Sequence, residues 1–177
     1  MPQRSILVLA LVLCSSAHAS AQIPPGMKVG LSQYLQAGYD GLKTTVMTAA
    51  NKMPEADFGF RPSTMPEVRT FAQVLAHIAE SQFGTCANLK GAPNPMAGRA
   101  LEKELTAKVA VIKALQDSFD FCDGAFSQLS DGAASELVKV GRGEAARAAV
   151  IAGLLAHTSE MYGVSTVYLR ARNLTPY

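Results

Sequence analysis

Four stretches of this chain repeat their apolar residues in steps of three and four, and that periodicity leaves little choice of fold. From Leu31 the row runs Leu31, Leu35, Gly38, Leu42, Val46, Ala49 and Met53. This is one stripe of an amphipathic helix, and Pro54 stops it. After a loop containing Gly59, Pro62 and Pro66, Thr70-Phe71-Ala72-Gln73 reads as a capping box: the Thr70 hydroxyl takes the Gln73 N–H while the Gln73 side chain reaches back. The second helix then carries Phe71, Leu75, Ile78, Gln82, Cys86 and Leu89 on one face.

Residues 90–105 hold Gly91, Pro93, Pro95 and Gly98, so at least their first half is a loop. A third helix is expected from an N-cap near Thr106, with Val109, Ile112, Leu115, Phe119, Cys122, Phe126 and Leu129 in its stripe. Gly132, Gly141 and Gly143 break the pattern over 130–143. A fourth helix follows from about Glu144 to Arg170, with an inner row of Val150, Leu154, His157, Met161, Val164 and Tyr168. The only strand-like alternation is a weak patch at Glu136–Val140. Four such helices predict an all-α fold, a four-helix bundle.

The chain begins with an address label. Arg4 precedes an apolar run from Ile6 to Leu13, and Ala19-Ser20-Ala21 is a small-residue cleavage site before Gln22. A run of about 10 residues is too short to span a bilayer, which needs roughly 20. The expectation is a signal peptide over 1–21, a single domain over 22–177, no stable membrane anchor, and a periplasmic or extracellular location. The formal net charge is only +2, there is no Trp, and aromatic residues make up 7%. Neither an electrostatic footprint nor a base-stacking platform for nucleic acid is available.

Beyond the leader, Cys86 and Cys122 remain, and an exported protein meets an oxidising compartment. Each cysteine lies 16 positions after a predicted cap, Thr70 or Thr106, which is about 24 Å into its helix. The two come level if the second and third helices run parallel, and lie far apart if those helices form a tight antiparallel hairpin. The 16-residue connection, about 50 Å when extended, is long enough for a crossover. The arrangement expected is therefore up-down-down-up with a Cys86–Cys122 bridge. The alternative is two independent buried thiols.

His77 and His157 sit on different helices of the same bundle, and bundle interiors are where metal sites are built from facing helices. Two imidazoles do not complete a catalytic zinc site, which takes three protein ligands. The position for a third is Met161, four residues after His157 on the same face. Its thioether either fills the core or, with both imidazoles, makes a soft donor set suited to Cu(I). Both helices also carry His-x-x-Glu, which makes Glu80 and Glu160 either hydrogen-bond partners of a histidine or solvated charges. This is the reverse of the di-iron order, and Asp40, Asp120 and Asp123 lie on no clear inward row. Among other templates, no phosphate loop or Gly-x-Ser-x-Gly nucleophile elbow stands out.

Several segments together resemble the DinB-like family: Met53-Pro-Glu-Ala-Asp-Phe-Gly-Phe-Arg-Pro62, Pro66-Glu-Val-Arg-Thr-Phe-Ala-Gln-Val-Leu-Ala-His-Ile-Ala-Glu80, and His157-Thr-Ser-Glu-Met-Tyr-Gly163 with Tyr168-Leu-Arg170. The likeness covers nearly all of residues 22–177 and is similar to the exported branch. It implies the up-down-down-up bundle. It also implies a divalent metal, Zn or Ni, on three histidines, of which His77 and His157 match two and Met161 replaces the third. Some relatives are thiol-dependent transferases or isomerases. The resemblance thus implies at most a metal-dependent hydrolase or thiol-transferase-like activity, and is compatible with a homodimer. The alternative readings are a Cu(I)-binding bundle and a structural bundle that holds no metal.

Overall fold

The computed structural model describes residue 23 and residues 25–176, so the predicted leader lies outside the described residues. The described residues form four long helices: α1 (Leu31–Lys52), α2 (Phe71–Lys90), α4 (Lys108–Ser127) and α5 (Arg147–Ala171). A four-residue helix, α3 (Leu101–Glu104), sits in the α2–α4 connection. A hairpin of β1 (Leu137–Val140) and β2 (Gly143–Ala146) precedes α5, with Val138 opposite Ala145. No helix among the described residues is long and apolar enough to cross a membrane.

The helix ends follow local chemistry in most places. The Thr70 capping box forms as the sequence predicts, with Gln73 N–H donating to Thr70 Oγ1 (3.2 Å) and Thr70 N–H to Gln73 Oε1 (2.8 Å). Gly91 ends α2 in the left-handed region at φ 59°. The first cap is long-range instead. Gly30 has no side chain to offer, and the Asp131 carboxylate accepts from Ser32 N–H at 2.7 Å across 99 residues. Two boundaries differ from expectation. α4 begins after Ala107 rather than Thr106, with no side-chain cap. α5 begins at Arg147 because Glu144–Ala146 pair as β2, turned by Gly141 at φ 58°.

α2 packs between α4 and α5, and α1 closes the ring against the same two helices. Directions follow from contacts. Tyr39 OH reaches Phe119 O (2.8 Å), and Lys108 Nζ reaches Met53 O (2.7 Å), so α1 and α4 are antiparallel. Tyr168 OH reaches Arg69 O (2.7 Å), and Arg147 reaches Leu89 O (2.7 Å), so α2 and α5 are antiparallel. Cys86 and Cys122 are bonded, with Cα atoms 5.3 Å apart, and this levels the parallel pair α2 and α4. The bundle is up-down-down-up.

Phe58, Phe71, Leu75, Ile78, Phe83, Leu115, Phe119, Ile151 and Leu169 fill the core. Phe71 meets Phe58 edge to face at 5.3 Å. On α2 the predicted stripe is buried throughout. On α1 and α4 the expected rows are only partly buried: Leu31, Gly38 and Val109 are exposed, and Leu42 and Ile112 are half-buried.

The α5 row is rotated from the expected one. The buried line is Ile151, Leu154, Thr158, Met161, Ser165 and Tyr168. Val150 and His157 are half-buried, and Val164 faces outward. α5 is apolar on nearly all sides, so sequence alone cannot fix its rotation. His157 therefore stands on the rim between α5 and α2, where it remains accessible.

Candidate metal centre

His77 occupies the second turn of α2, on the side facing α5. Because the two helices are antiparallel, His157, midway along α5, comes level with it. The two Nε2 atoms are 3.1 Å apart, with ring centroids separated by 5.0 Å and planes inclined at 63°. Two imidazole nitrogens bound to one ion at about 2.0–2.1 Å lie no more than about 4 Å from each other. The observed separation fits that limit.

The other nitrogen of His77 is held from α3. Glu102 Oε2 lies 3.0 Å from His77 Nδ1, and Glu102 Oε1 accepts from Arg69 Nε at 2.9 Å. Arg69, just before the α2 cap, is fixed in turn by Tyr168 of α5, whose hydroxyl donates to its carbonyl. Glu80, one turn after His77, accepts from Leu101 N–H at 2.8 Å and so anchors the first residue of α3. Leu101 itself is buried in the core. The ligand atoms of His77, Glu80 and Glu102 all lie within 4.8 Å of one another, a group that could hold an ion. Both carboxylates in it already accept strong protein hydrogen bonds.

Burial pushes His157 below the ordinary imidazole value, and the neighbouring His77 pushes the same way against a weaker pull from Glu160. The ring is thus biased toward the neutral, ligating form. Its Nδ1 is buried with no hydrogen-bond partner among the described residues. His77 is the better supported of the two rings, and His157 the less constrained.

Met161 is buried with the core residues one turn beyond His157. Glu160 is exposed. Asp120 and Asp123 face Lys43 across the α1–α4 surface, at 3.5 and 2.8 Å. Sequence reasoning found both histidines and missed Glu102 and Arg69. A four-residue helix has no periodicity to read, and neither residue belongs to a recognisable spacing with His77.

A groove of about 850 Å³ opens beside the pair between α2, α5 and the hairpin. Small side chains make the space: Gly84, Ala87, Ala92, Ala149 and Gly153. Ser81, Thr85, Asn88 and Asn94 supply neutral hydrogen-bonding groups, and Glu80 and His157 are its titratable lining residues.

The family model of the DinB superfamily matches residues 40–161, which include both histidines. No curated protein matches the chain. Among solved structures, a DinB-like protein from Bacillus cereus ATCC 10987 is 13% identical, with a TM-score of 0.66 over 81% of this chain and 93% of that one. A DinB-like protein from Bacillus subtilis is also 13% identical, with a TM-score of 0.63 over 80% and 93%. The mycothiol-dependent maleylpyruvate isomerase is 17% identical, with a TM-score of 0.54 over 78% of this chain and 62% of that one. With the bundle, its threading and the family match in agreement, the chain belongs to the DinB superfamily.

Proposed function

We propose that this is an exported metal-binding protein that holds a divalent transition ion between His77 and His157, at the end of the α2–α5 groove. The observation that carries this reading is the 3.1 Å approach of the two Nε2 atoms from separate helices. Imidazole suits Zn or Ni, and with His77 and His157 supplying one ligand fewer than a usual catalytic zinc site, solvent or substrate would fill the remaining positions. Such an ion supplies Lewis acidity, lowering the pKa of a bound water or thiol. The protein's own part is to orient His77 through Glu102, keep His157 neutral, and admit substrate along the groove. Apart from Glu80 and His157 the lining is uncharged, which favours uncharged, hydrogen-bonding substrates. Mycothiol dependence in one structural neighbour makes thiol activation a reasonable class to assay beside hydrolysis.

Export is supported by the leader-like residues 1–21 and by the buried Cys86–Cys122 bridge, since disulfides persist in oxidising compartments. Met161 occupies the position four residues after His157, where a third imidazole would complete a chelating face, and this favours a second, softer reading with Cu(I).

Metal analysis of the mature protein purified without chelator tests both. The expected result is near-stoichiometric Zn or Ni that is lost in His157→Ala, with affinity increased in Met161→His. Copper uptake lost in Met161→Ala would support the Cu(I) reading. No uptake under any loading, with no thermal shift on adding ions, would leave a structural bundle.

A further inference from the structure

We infer that Glu102 is a positioning residue that fixes the proton of neutral His77 on Nδ1, so that its Nε2 lone pair faces His157. The inference deepens the metal-site reading but concerns the protein without metal, and can be tested there. A carboxylate only accepts hydrogen bonds. With Glu102 Oε2 only 3.0 Å from Nδ1, a lone pair on that nitrogen would face a carboxylate oxygen, so the contact favours a proton there. The carboxylate is held in this orientation by Arg69 Nε, which donates to its other oxygen at 2.9 Å. The helix that carries Glu102 is anchored at its start by Glu80 and by buried Leu101.

The partner ring supports the same assignment. The Nε2 atoms are 3.1 Å apart, so in the metal-free protein with both rings neutral one must donate and the other accept. With His77 protonated at Nδ1, His157 donates from Nε2. That leaves the partnerless His157 Nδ1 as a bare lone pair rather than an orphaned N–H. Each N–H of the pair then faces an acceptor, His157 Nε2–H the ring of His77 and His77 Nδ1–H the Glu102 carboxylate. The opposite tautomers would bury an N–H on His157 Nδ1 without an acceptor and set a lone pair against Glu102. A ring held this way presents an unprotonated nitrogen to an incoming ion, as histidine ligands backed by carboxylates do.

Glu102→Gln gives a sharp test. Arg69 offers only donors, so the carbonyl oxygen of the substituted amide turns toward Arg69 and its NH₂ toward His77 Nδ1. Nδ1 must now accept, and the proton moves to Nε2, the nitrogen needed for metal.

The experiment is long-range ¹H–¹⁵N NMR of the metal-free full domain at pH 8, where an ordinary imidazole is neutral. The expected pattern is His77 protonated at Nδ1 in the parent, at Nε2 in Glu102→Gln, and at Nδ1 with a weaker preference in Glu102→Ala, where only the partner ring still favours it. Thermal melts of all three proteins check that they are folded, and Glu102→Ala provides the comparison should the Gln variant fold poorly. His77 protonated at Nε2 in the parent, or a tautomer unchanged in both variants, overturns the inference. Zinc titration of the same samples reads the consequence. Binding by the parent with about 10–100-fold weaker affinity in Glu102→Gln is expected, and equal affinities would refute the positioning role. If the parent takes no zinc but the NMR pattern holds, the inference stands and the metal reading falls.

Discussion

Removing the Cys86–Cys122 bond without removing its atoms should weaken the fold by an amount that its place in the chain sets. The bonded residues are 36 apart in sequence and join two parallel helices whose connection carries only the short α3. In the chain-entropy account, closing a loop of that length in the unfolded state costs roughly 13 cal/mol/K, or about 4 kcal/mol at 25 °C. For a domain of this size that corresponds to a fall in Tm of roughly 8–16 °C. Both sulfurs are fully buried, so reduction is carried out in denaturant and the protein is refolded with reductant present. Urea titrations of oxidised and reduced protein then compare the same side chains. If the bond acts through the unfolded chain, the reduced protein shows lower stability and also a larger m-value, because its unfolded state is more open. A difference below about 1 kcal/mol with equal m-values would refute that reasoning.

Three further outcomes are expected. His157 has a folded pKa below its unfolded value, so the unfolded chain binds more protons in between. Stability of the metal-free protein should therefore fall as pH drops below about 6.5 and level off once the folded ring also titrates. Urea titrations from pH 7.5 to 5 would show this, and His157→Asn should flatten the slope. Thr70→Ala removes one arm of the α2 capping box and should cost about 1 kcal/mol in urea denaturation. Gly30→Ala would press a methyl group into the Asp131 carboxylate that caps α1. It should lower Tm and raise amide exchange at Ser32, whereas Gly41→Ala, which meets nothing, should not lower Tm.

Much of the fold is legible along the chain because helices are written locally. The capping box at Thr70, the stop at Pro54 and the α2 stripe each depend on residues within a few positions of one another. Even the threading is accessible, since the two cysteines lie equally deep in their helices and only a parallel pair brings them level. The β2 strand escapes this reading: Gly143-Glu144-Ala145-Ala146 has no apolar alternation and pairs only because β1 lies beside it.

The site divides in the same way. Sequence alone determined that His77 and His157 lie on two helices of one bundle and that Met161 follows one turn after His157. It could not determine that the rings meet. That depends on the rotation and axial register of α5 against α2, and a helix apolar on nearly every side carries no pattern that specifies its rotation. Nor could it supply Glu102, which reaches His77 from 25 residues downstream on a helix too short to have a period, or Arg69, which holds Glu102 from just before α2. Tertiary packing decided both, because hydrogen bonds between distant segments depend on where whole elements come to rest rather than on what neighbours them in the chain.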